Sequence, residues 1–160
     1  MSECLSCLDL TKRFGAKEAL RSVNFKLEKG RIVGLLGPNG SGKTTLLKLV
    51  SGLLQPTDGS VLIEGMPPGI ETKRKVSYLP DQMYLGDWMR VRDIIEYFQD
   101  FYEDFDGDRA RAMLETLGIR PSQKIRAMSK GTREKVQLIL VMSRRASLYC
   151  LDEPIAGVDP

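Results

Sequence analysis

Eight residues from Gly37 to Thr44, GPNGSGKT, place glycines, a lysine and a threonine at a spacing suited to holding a phosphate. Glycines allow consecutive backbone N–H groups to curl round an anion. The apolar run 32–36 before the loop predicts a buried strand, and a helix is predicted after it, so a helix N-terminus would face the phosphate. Lys43 would then reach the β- and γ-phosphates of a nucleotide, and the Thr44 hydroxyl would bind Mg²⁺.

Two adjacent carboxylates, Asp152 and Glu153, end an apolar run close to the last residue of the sequence. Beside a phosphate loop, Asp152 would hold Mg²⁺ through water, and Glu153 would accept a proton from the attacking water or orient it. The alternative is a solvated strand end followed by a turn at Pro154. The guanine-reading pattern N-K-x-D is absent from the sequence, which argues against a P-loop GTPase.

The elements that must position these residues alternate between strands and helices. A hairpin is predicted over 22–37 with its turn at Lys29-Gly30, and a helix is predicted from Lys43 to the QPTDG stretch at 55–59. Further strands are predicted at 60–65, 75–80 and 147–152, and further helices at 91–105, 110–117 and 129–145. This alternation predicts an α/β fold with a largely parallel sheet.

Between the phosphate loop and the carboxylates lies AMSKGTREKVQLILVMSRR, which predicts a helix that starts at Ser129 and leads into the last strand. With this order of motifs, the sequence resembles the ATP-binding cassette (ABC) family over essentially its whole length. The correspondences are Walker A at 37–45, the signature LSGGQ at 128–132 (MSKGT), Walker B at 148–153 (LYCLDE) and the D-loop at 156–159 (AGVD).

The resemblance implies an ABC-type P-loop NTPase domain over 1–160. It implies an N-terminal antiparallel β subdomain, a partly parallel core sheet and an inserted helical subdomain at about 85–128. In the family, the chain continues past Walker B into a strand that lies between the Walker A and Walker B strands. We therefore expect the C-terminal strands to be missing, so that these residues are an incomplete domain and a fragment of a longer subunit.

The resemblance also implies that two ATP molecules lie between two cassettes arranged head to tail, and that hydrolysis opens the dimer. Phe14 fits the aromatic residue that stacks on adenine. The predicted catalytic residues are Glu153, Lys43, Asp81 and Gln82, and the predicted metal ligands are Thr44, Asp81, Gln82 and Asp152. The predicted nucleotide-binding residues are Phe14, Gly37, Pro38, Asn39, Gly40, Ser41, Gly42, Lys43, Thr44, Thr45, Ser129, Gly131, Thr132 and Asp159.

The sequence departs from the family pattern at several positions. Lys130 stands where the signature usually has glycine, and Thr132 stands where it usually has glutamine. Lys130 adds positive charge near the partner's phosphates or points to water. Asp81 replaces the usual Q-loop glutamine, with Gln82 next to it, and either side chain could serve Mg²⁺. The sequence contains no histidine, so the family's switch histidine is absent.

Cys4 and Cys7 form a C-x-x-C that could be half of a zinc site. Because the sequence has no second pair and no histidine, two cysteines on a strand in a reducing compartment are the favoured interpretation.

The bulk properties fit one ordinary soluble domain: 160 residues, 42% hydrophobic, net charge +3, with no apolar run of membrane-spanning length and no secretory signal. We predict a subunit that binds and hydrolyses ATP with Mg²⁺ and powers a transporter. Its partners would be a membrane-spanning subunit and a second cassette, identical or different. We expect it in the cytoplasm, held on the inner face of the membrane by that partner, without membrane insertion and without nucleic acid.

Two other functions stay open at this point: an ABC-type ATPase of translation or DNA repair, and a fragment that binds nucleotide without turnover.

Overall fold

A three-stranded antiparallel sheet opens the fold in this computed structural model, which describes residues 2–82 and 84–154. β1 (Glu3–Phe14) lies between β2 (Lys17–Glu28) and β3 (Asp58–Ile63), in the order β2-β1-β3. The chain forms two compact units, residues 1–76 and 77–160, and this sheet belongs to the first.

β1 supplies much of the apolar face of this sheet. Residues 4–7 are all buried, and a register shift follows Cys7 at Asp9, which has a φ of 47°. After this shift Leu10 is buried again. α1 (Lys43–Val50) packs against β2 and β3 through its buried residues Leu46, Leu49 and Val50, and the short helix α2 (Ile70–Lys73) follows β3.

The predicted hairpin over 22–37 is wrong. β2 pairs with the preceding strand β1 through a turn at Gly15, and residues 31–38 have no strand assignment. Ile32 and Leu36 are almost fully exposed. A buried parallel strand needs neighbours to bond its backbone, and the strands that the structure describes in the first unit all belong to the antiparallel sheet.

The predicted first helix is also too long. α1 ends at Val50, and the Ser51 N–H and hydroxyl both bond the Leu47 carbonyl there. Gly52, with a φ of 70°, then lets the chain leave the helix, so that Leu53 is exposed instead of lying on the apolar face.

The second unit contains helices and a two-stranded sheet. α3 (Val91–Phe101), α4 (Gly107–Thr116) and α5 (Lys130–Met142) share one apolar core that includes Ile94, Leu114 and Leu140, and a 3₁₀ turn at Ile125–Ala127 precedes α5. β4 (Val76–Leu79) pairs with β5 (Leu148–Leu151), and the long helical connection is the crossover that parallel neighbours require. The boundaries 85–128 for a helical subdomain stay a prediction.

α5 ends three residues earlier than predicted, and Arg144 and Arg145 bind carboxylates instead of acting as cations in its last turn. The buried Arg144 pairs with Asp104 and lies over the Tyr102 ring, whose centroid is 4.2 Å away. Arg145 pairs with Asp106 at 3.1 Å. These pairs fix the loop between α3 and α4 to the chain just before β5.

No helix in the described ranges 2–82 and 84–154 is long and apolar enough to cross a membrane.

Candidate functional site

The phosphate loop reaches α1 through Gly42, whose φ is 96°. A Cβ at this position would lie 2.5 Å from the carbonyl oxygen of Ala19 and 2.8 Å from a methyl carbon of Leu20, both on β2. Only glycine fits such a close approach in this left-handed conformation. The sheet therefore fixes the point at which the loop enters the helix.

Lys43 lies across its own loop. Its ammonium donates to the carbonyls of Gly37 and Pro38, at 2.7 and 3.0 Å. The Ser41 N–H bonds the Pro38 carbonyl at 3.2 Å, so the loop is a compact turn. Thr44 and Thr45 lie in the first turn of α1, where backbone N–H groups have no partner within the helix and are available to bind an anion.

The remaining predicted residue of the first unit, Phe14, ends β1 with 47% of its surface exposed. Gly15 follows it at a φ of 57° and turns the chain into β2, while about half of the Phe14 surface stays exposed. The ring could therefore stack on a planar ligand.

Asp152 is the buried member of the carboxylate pair in the second unit, with 3% of its surface exposed. Its N–H donates to the Leu79 carbonyl at 2.9 Å, which extends the pairing of β5 with β4. The carboxylate atom Oδ2 is buried without a hydrogen-bond partner among the described residues. A buried carboxylate oxygen is costly unless something binds it, and a hard cation or its water would do so.

The pKa of Tyr78 is raised by its burial and by the negative charge of nearby carboxylates. Burial, followed by the negative charges of Asp152 and Asp81, raises the pKa of Tyr78 to about 12. Glu153 contrasts with its neighbour, because it is exposed and has a φ of 46°. That left-handed conformation is rare for a residue other than glycine and favours a functional explanation.

Asp81 and Glu153 line one cavity of about 180 Å³ within the second unit. The other lining residues are Leu79, Pro80, Lys130, Arg133, Glu134, Gln137 and Pro154. Of the two Q-loop candidates, Asp81 therefore shares a space with Glu153. Gln82 is exposed, and its backbone carbonyl accepts from the Gln137 amide at 3.4 Å.

Three side chains of this cavity were missed at the sequence level: Arg133, Glu134 and Gln137. Each has one buried polar atom without a hydrogen-bond partner in the part of the chain that the structure describes, namely Arg133 Nε, Glu134 Oε2 and Gln137 Oε1. Gln137 interrupts the apolar run of α5 at a position that faces inward, and this polar residue in a core position is the signal that could have found it.

The signature segment begins α5. Ser129 is the N-cap: its hydroxyl accepts from the Thr132 N–H at 3.2 Å and lies 2.8 Å from the Thr132 hydroxyl. A Cβ on Gly131 would meet nothing within 4 Å, so this side of the helix start is open. Lys130 is mostly exposed, and its ammonium lies 3.8 Å from Glu134 of the same helix.

Two predictions lie at the margins of the site. The D-loop at 156–159, including Asp159, lies outside the described residues. Cys4 and Cys7 are buried on β1 and form no disulfide with a described residue, and no group of three or more His, Cys, Asp and Glu residues in the described ranges could hold a metal ion. A zinc site at these cysteines therefore has no further ligands there.

Comparison with known proteins identifies the family of this chain. A family model described as "ABC transporter" matches residues 20–156. The chain belongs to the ABC transporter family.

Relatives within the family are named as ATP-binding proteins. The SkfA peptide export ATP-binding protein SkfE of Bacillus subtilis is 34% identical over 94% of this chain and 66% of its own length. The linearmycin resistance ATP-binding protein LnrL of the same organism is 30% identical over 98% of this chain and 53% of its own length. The chain spans about half to two thirds of the length of these curated relatives.

Solved ABC structures have the same fold. An ABC transporter ATP-binding protein from Pyrococcus furiosus superposes with a TM-score of 0.85 at 30% identity, covering 97% of this chain and 78% of that chain. The ATP-binding subunit of another ABC transporter gives 0.86 at 30% identity, covering 98% and 69%. The predicted ABC-type α/β fold is confirmed, and the chain is partial relative to those structures.

Proposed function

We propose that this chain is the ATP-binding part of a subunit that hydrolyses MgATP to drive an ABC transporter through head-to-tail pairing of two cassettes. One observation supports this most: Asp152 is buried with an unpartnered oxygen directly before the exposed Glu153, in a chain of this family that also carries a phosphate loop. A solvated strand end, the alternative at the sequence level, would leave both carboxylates in water.

Residues 37–45 would hold the triphosphate. Lys43 would exchange its two carbonyl partners for phosphate oxygens, which a cation binds more strongly than neutral acceptors. Backbone N–H groups at the start of α1 would bind the same phosphates, with the positive end of the helix dipole behind them. Phe14 would stack on the adenine.

Thr44, Asp152 and Asp81 carry the oxygen ligands that suit Mg²⁺. The buried Oδ2 of Asp152, which has no hydrogen-bond partner among the described residues, is an acceptor that suits this ion. When bound, the ion would neutralise phosphate charge during phosphoryl transfer. Gln82 is the weaker candidate of the two Q-loop residues, because it is absent from the lining of the cavity that holds Glu153.

Glu153 would accept the proton of the attacking water or orient that water. Its exposure makes it accessible to solvent, and its left-handed backbone fixes where the carboxylate begins. A second cassette would hold a γ-phosphate against Ser129, Gly131 and Thr132. Asp159 would supply a further contact to that nucleotide. The open side of Gly131 would let a phosphate approach the α5 N-terminus.

The partners would be a second cassette and a membrane-spanning subunit that holds this protein at the cytoplasmic face of the membrane. We propose export as the direction of transport, because relatives are named for peptide export and for linearmycin resistance. The full-length protein, reconstituted with its membrane subunit, should then hydrolyse ATP faster in the presence of cargo on the cytoplasmic side.

The experiment compares Glu153→Gln with the unmodified chain. We expect turnover of MgATP to fall by about 10²- to 10⁴-fold, the usual contribution of a positioned acid or base, while MgATP affinity changes less than about twofold. Size-exclusion chromatography in MgATP should show a dimer that accumulates only with the Gln variant, because hydrolysis no longer separates the pair.

Glu115→Gln is the matched control, an exposed carboxylate on α4 of the same unit. It should turn over ATP like the unmodified chain. If the unmodified chain binds MgATP without turnover, catalysis by these residues alone is refuted and binding stands. If it fails to bind MgATP, the proposed function of this chain is wrong.

A further inference from the structure

Lys12 lies beside the ring proposed to stack on adenine. Its ammonium is 5.1 Å from the centroid of the Phe14 ring, within the range of a cation–π contact. The two residues are separated by one position on β1, with a register shift between Lys12 and Arg13. The ammonium covers one side of the ring.

The ammonium is itself held. Lys12 Nζ donates to the Gln55 carbonyl at 2.8 Å, so its position over the ring does not depend on a freely rotating side chain. Gln55 belongs to the segment that connects α1, the helix of the phosphate loop, to β3.

Further bonds join the end of β1 to this segment. The Thr57 N–H donates to the Thr11 carbonyl, and the Arg13 N–H donates to the Thr57 hydroxyl, both at 2.9 Å. The Arg13 guanidinium also lies 3.3 Å from the Asp58 carboxylate. The backbone before Phe14 is therefore fixed to the chain that leaves α1, and Lys12 extends this attachment to the ring.

We propose that Lys12 is a positioning residue for the base of the nucleotide: it clamps the Phe14 ring from one side and leaves the other side for adenine. This rests on the proposed function. A cation on one face withdraws electron density from the ring, which strengthens stacking with an electron-rich purine on the other face. A ring already held in its binding orientation also loses less conformational freedom when the base binds.

The same ammonium could instead act as a general attraction for phosphate charge. Inorganic tripolyphosphate separates these roles, because it carries the phosphates without a base. We would measure the Kd of Mg-ATP and of Mg-tripolyphosphate by calorimetry for the full chain and for Lys12→Met, Lys12→Arg, Phe14→Ala and the Lys12→Met/Phe14→Ala double variant.

We expect Lys12→Met to weaken ATP binding about two- to fivefold, as loss of an exposed cation–π contact implies, and to leave tripolyphosphate binding unchanged. Lys12→Arg should restore ATP affinity to within about twofold, because guanidinium also stacks on aromatic rings. In the Phe14→Ala background the Lys12→Met change should have no further effect, since the clamp has nothing left to hold.

Lys17→Met is the matched control, since Lys17 pairs with Phe14 in the strand register and carries the same charge. It should change neither affinity. Equal weakening of ATP and tripolyphosphate by Lys12→Met would overturn the inference, as would an unchanged ATP affinity or a full additional loss in the Phe14→Ala background. An unmodified chain that binds no Mg-ATP would instead refute the proposed function, and the inference with it.

Discussion

The phosphate loop, residues 37–44, and the carboxylate edge, which is Asp152 and Glu153 directly after β5, differ in burial and in hydrogen bonding. Residues 31–41 are exposed, and Lys43 binds the carbonyls of its own loop. Asp152 is buried, its backbone bonded to β4 and its Oδ2 already desolvated. The loop can exchange its internal bonds for ligand bonds, whereas the carboxylate carries the desolvation cost before any ligand binds.

The two regions are held in place by different contacts. The carboxylate edge is fixed by the pairing of β5 with β4 and by the ion pairs that precede β5. The phosphate loop depends on the contact of Gly42 with β2 and on the ligand it would bind. Substitutions near the carboxylate edge should therefore affect the free energy of unfolding most, and substitutions in the phosphate loop should affect nucleotide affinity most.

The largest stability effect is expected from Arg144→Ala. The side chain of Arg144 is 7% exposed and that of Asp104 is 25% exposed, so the change strands a partly buried carboxylate. We expect the free energy of unfolding to fall by about 3 kcal/mol, the lower end for breaking a buried pair, because Asp104 keeps some water.

Urea unfolding measures this change, and Arg145→Ala is the control. The Arg145 side chain is 75% exposed, so loss of its pair with Asp106 should cost below about 1 kcal/mol. Equal losses in the two variants would contradict the view that the carboxylate edge is fixed by buried contacts.

Gly42→Ala should act on the phosphate loop. An alanine here adopts a left-handed conformation at a cost of about 1–2 kcal/mol, and its Cβ meets the Ala19 carbonyl, so the loop must move away from β2. We expect Mg-ATP affinity to fall at least about tenfold, measured by calorimetry.

Gly34→Ala tests whether any alanine in this exposed segment has the same effect. A Cβ on Gly34 meets nothing within 4 Å, so this variant should bind Mg-ATP normally. Normal binding by both variants would show that the loop does not need its contact with β2.

Glu64→Gln tests how much the two ion pairs of Glu64 stabilise the first unit. Lys29 and Lys75 both bond the Glu64 carboxylate, Lys75 at 2.6 Å, and hold its pKa at about 2, below the ordinary 4.5. Because the folded pKa is the lower one, the ionised form stabilises the fold above about pH 4.5, and this contribution is lost as pH falls towards 2.

We expect Glu64→Gln to lower the free energy of unfolding by about 1 kcal/mol at pH 7, with a gap that narrows below pH 4.5. Thermal unfolding across this range measures it. Glu28→Gln, whose carboxylate lies 3.9 Å from Arg31 on the surface, should cost less than about 0.5 kcal/mol throughout. A gap for Glu64→Gln that is constant with pH would exclude the ion pairs as its cause.

The smallest effect is expected at Gln137, which links α5 to the Gln82 carbonyl. Gln137→Leu removes a buried amide whose Oε1 lacks a partner among the described residues, so stability should stay level or rise by up to about 1 kcal/mol. Turnover should fall a few-fold, because the segment that carries Asp81 loses one anchor. Unfolding and ATPase assays on one preparation would separate the two, and a parallel loss of both would make Gln137 purely structural.

The sequence predicted the elements whose pattern is local. α4 and the starts of α3 and α5 follow their apolar spacing, and the N-cap at Ser129 is where the serine indicated it. The helix predicted over 91–105 is too long, because Tyr102 has an extended backbone and α3 ends at Phe101. β1 was harder to predict, because its residues 4–7 are all buried and a bulge follows at Asp9, so that no alternation of buried and exposed residues marks the strand. The exposed 32–36 segment shows the reverse error, since an apolar run predicts a strand only if neighbouring strands are there to pair with it.

The same distinction holds for the candidate site. The phosphate loop and the Asp152–Glu153 pair are recognisable because their chemistry depends on adjacent residues. The contacts of Lys12 with Gln55 and of Gln137 with Gln82 join residues far apart in the chain and have no periodic signal. Gln137 itself stands out as a polar residue in an apolar run, but the partners of Lys12 and Gln137 could be found only in three dimensions.

Each of the two units contains a buried cysteine whose rate of alkylation can be measured. Cys7 belongs to the first unit, where burial raises its pKa to about 11, and Cys150 lies in β5 of the second, two positions before Asp152. Because the thiolate is the reactive form and neither sulfur is open to solvent, alkylation must wait for local opening. The rates at which Cys7 and Cys150 are alkylated would then measure the local opening of the three-stranded sheet and of β5 separately, in the unmodified protein.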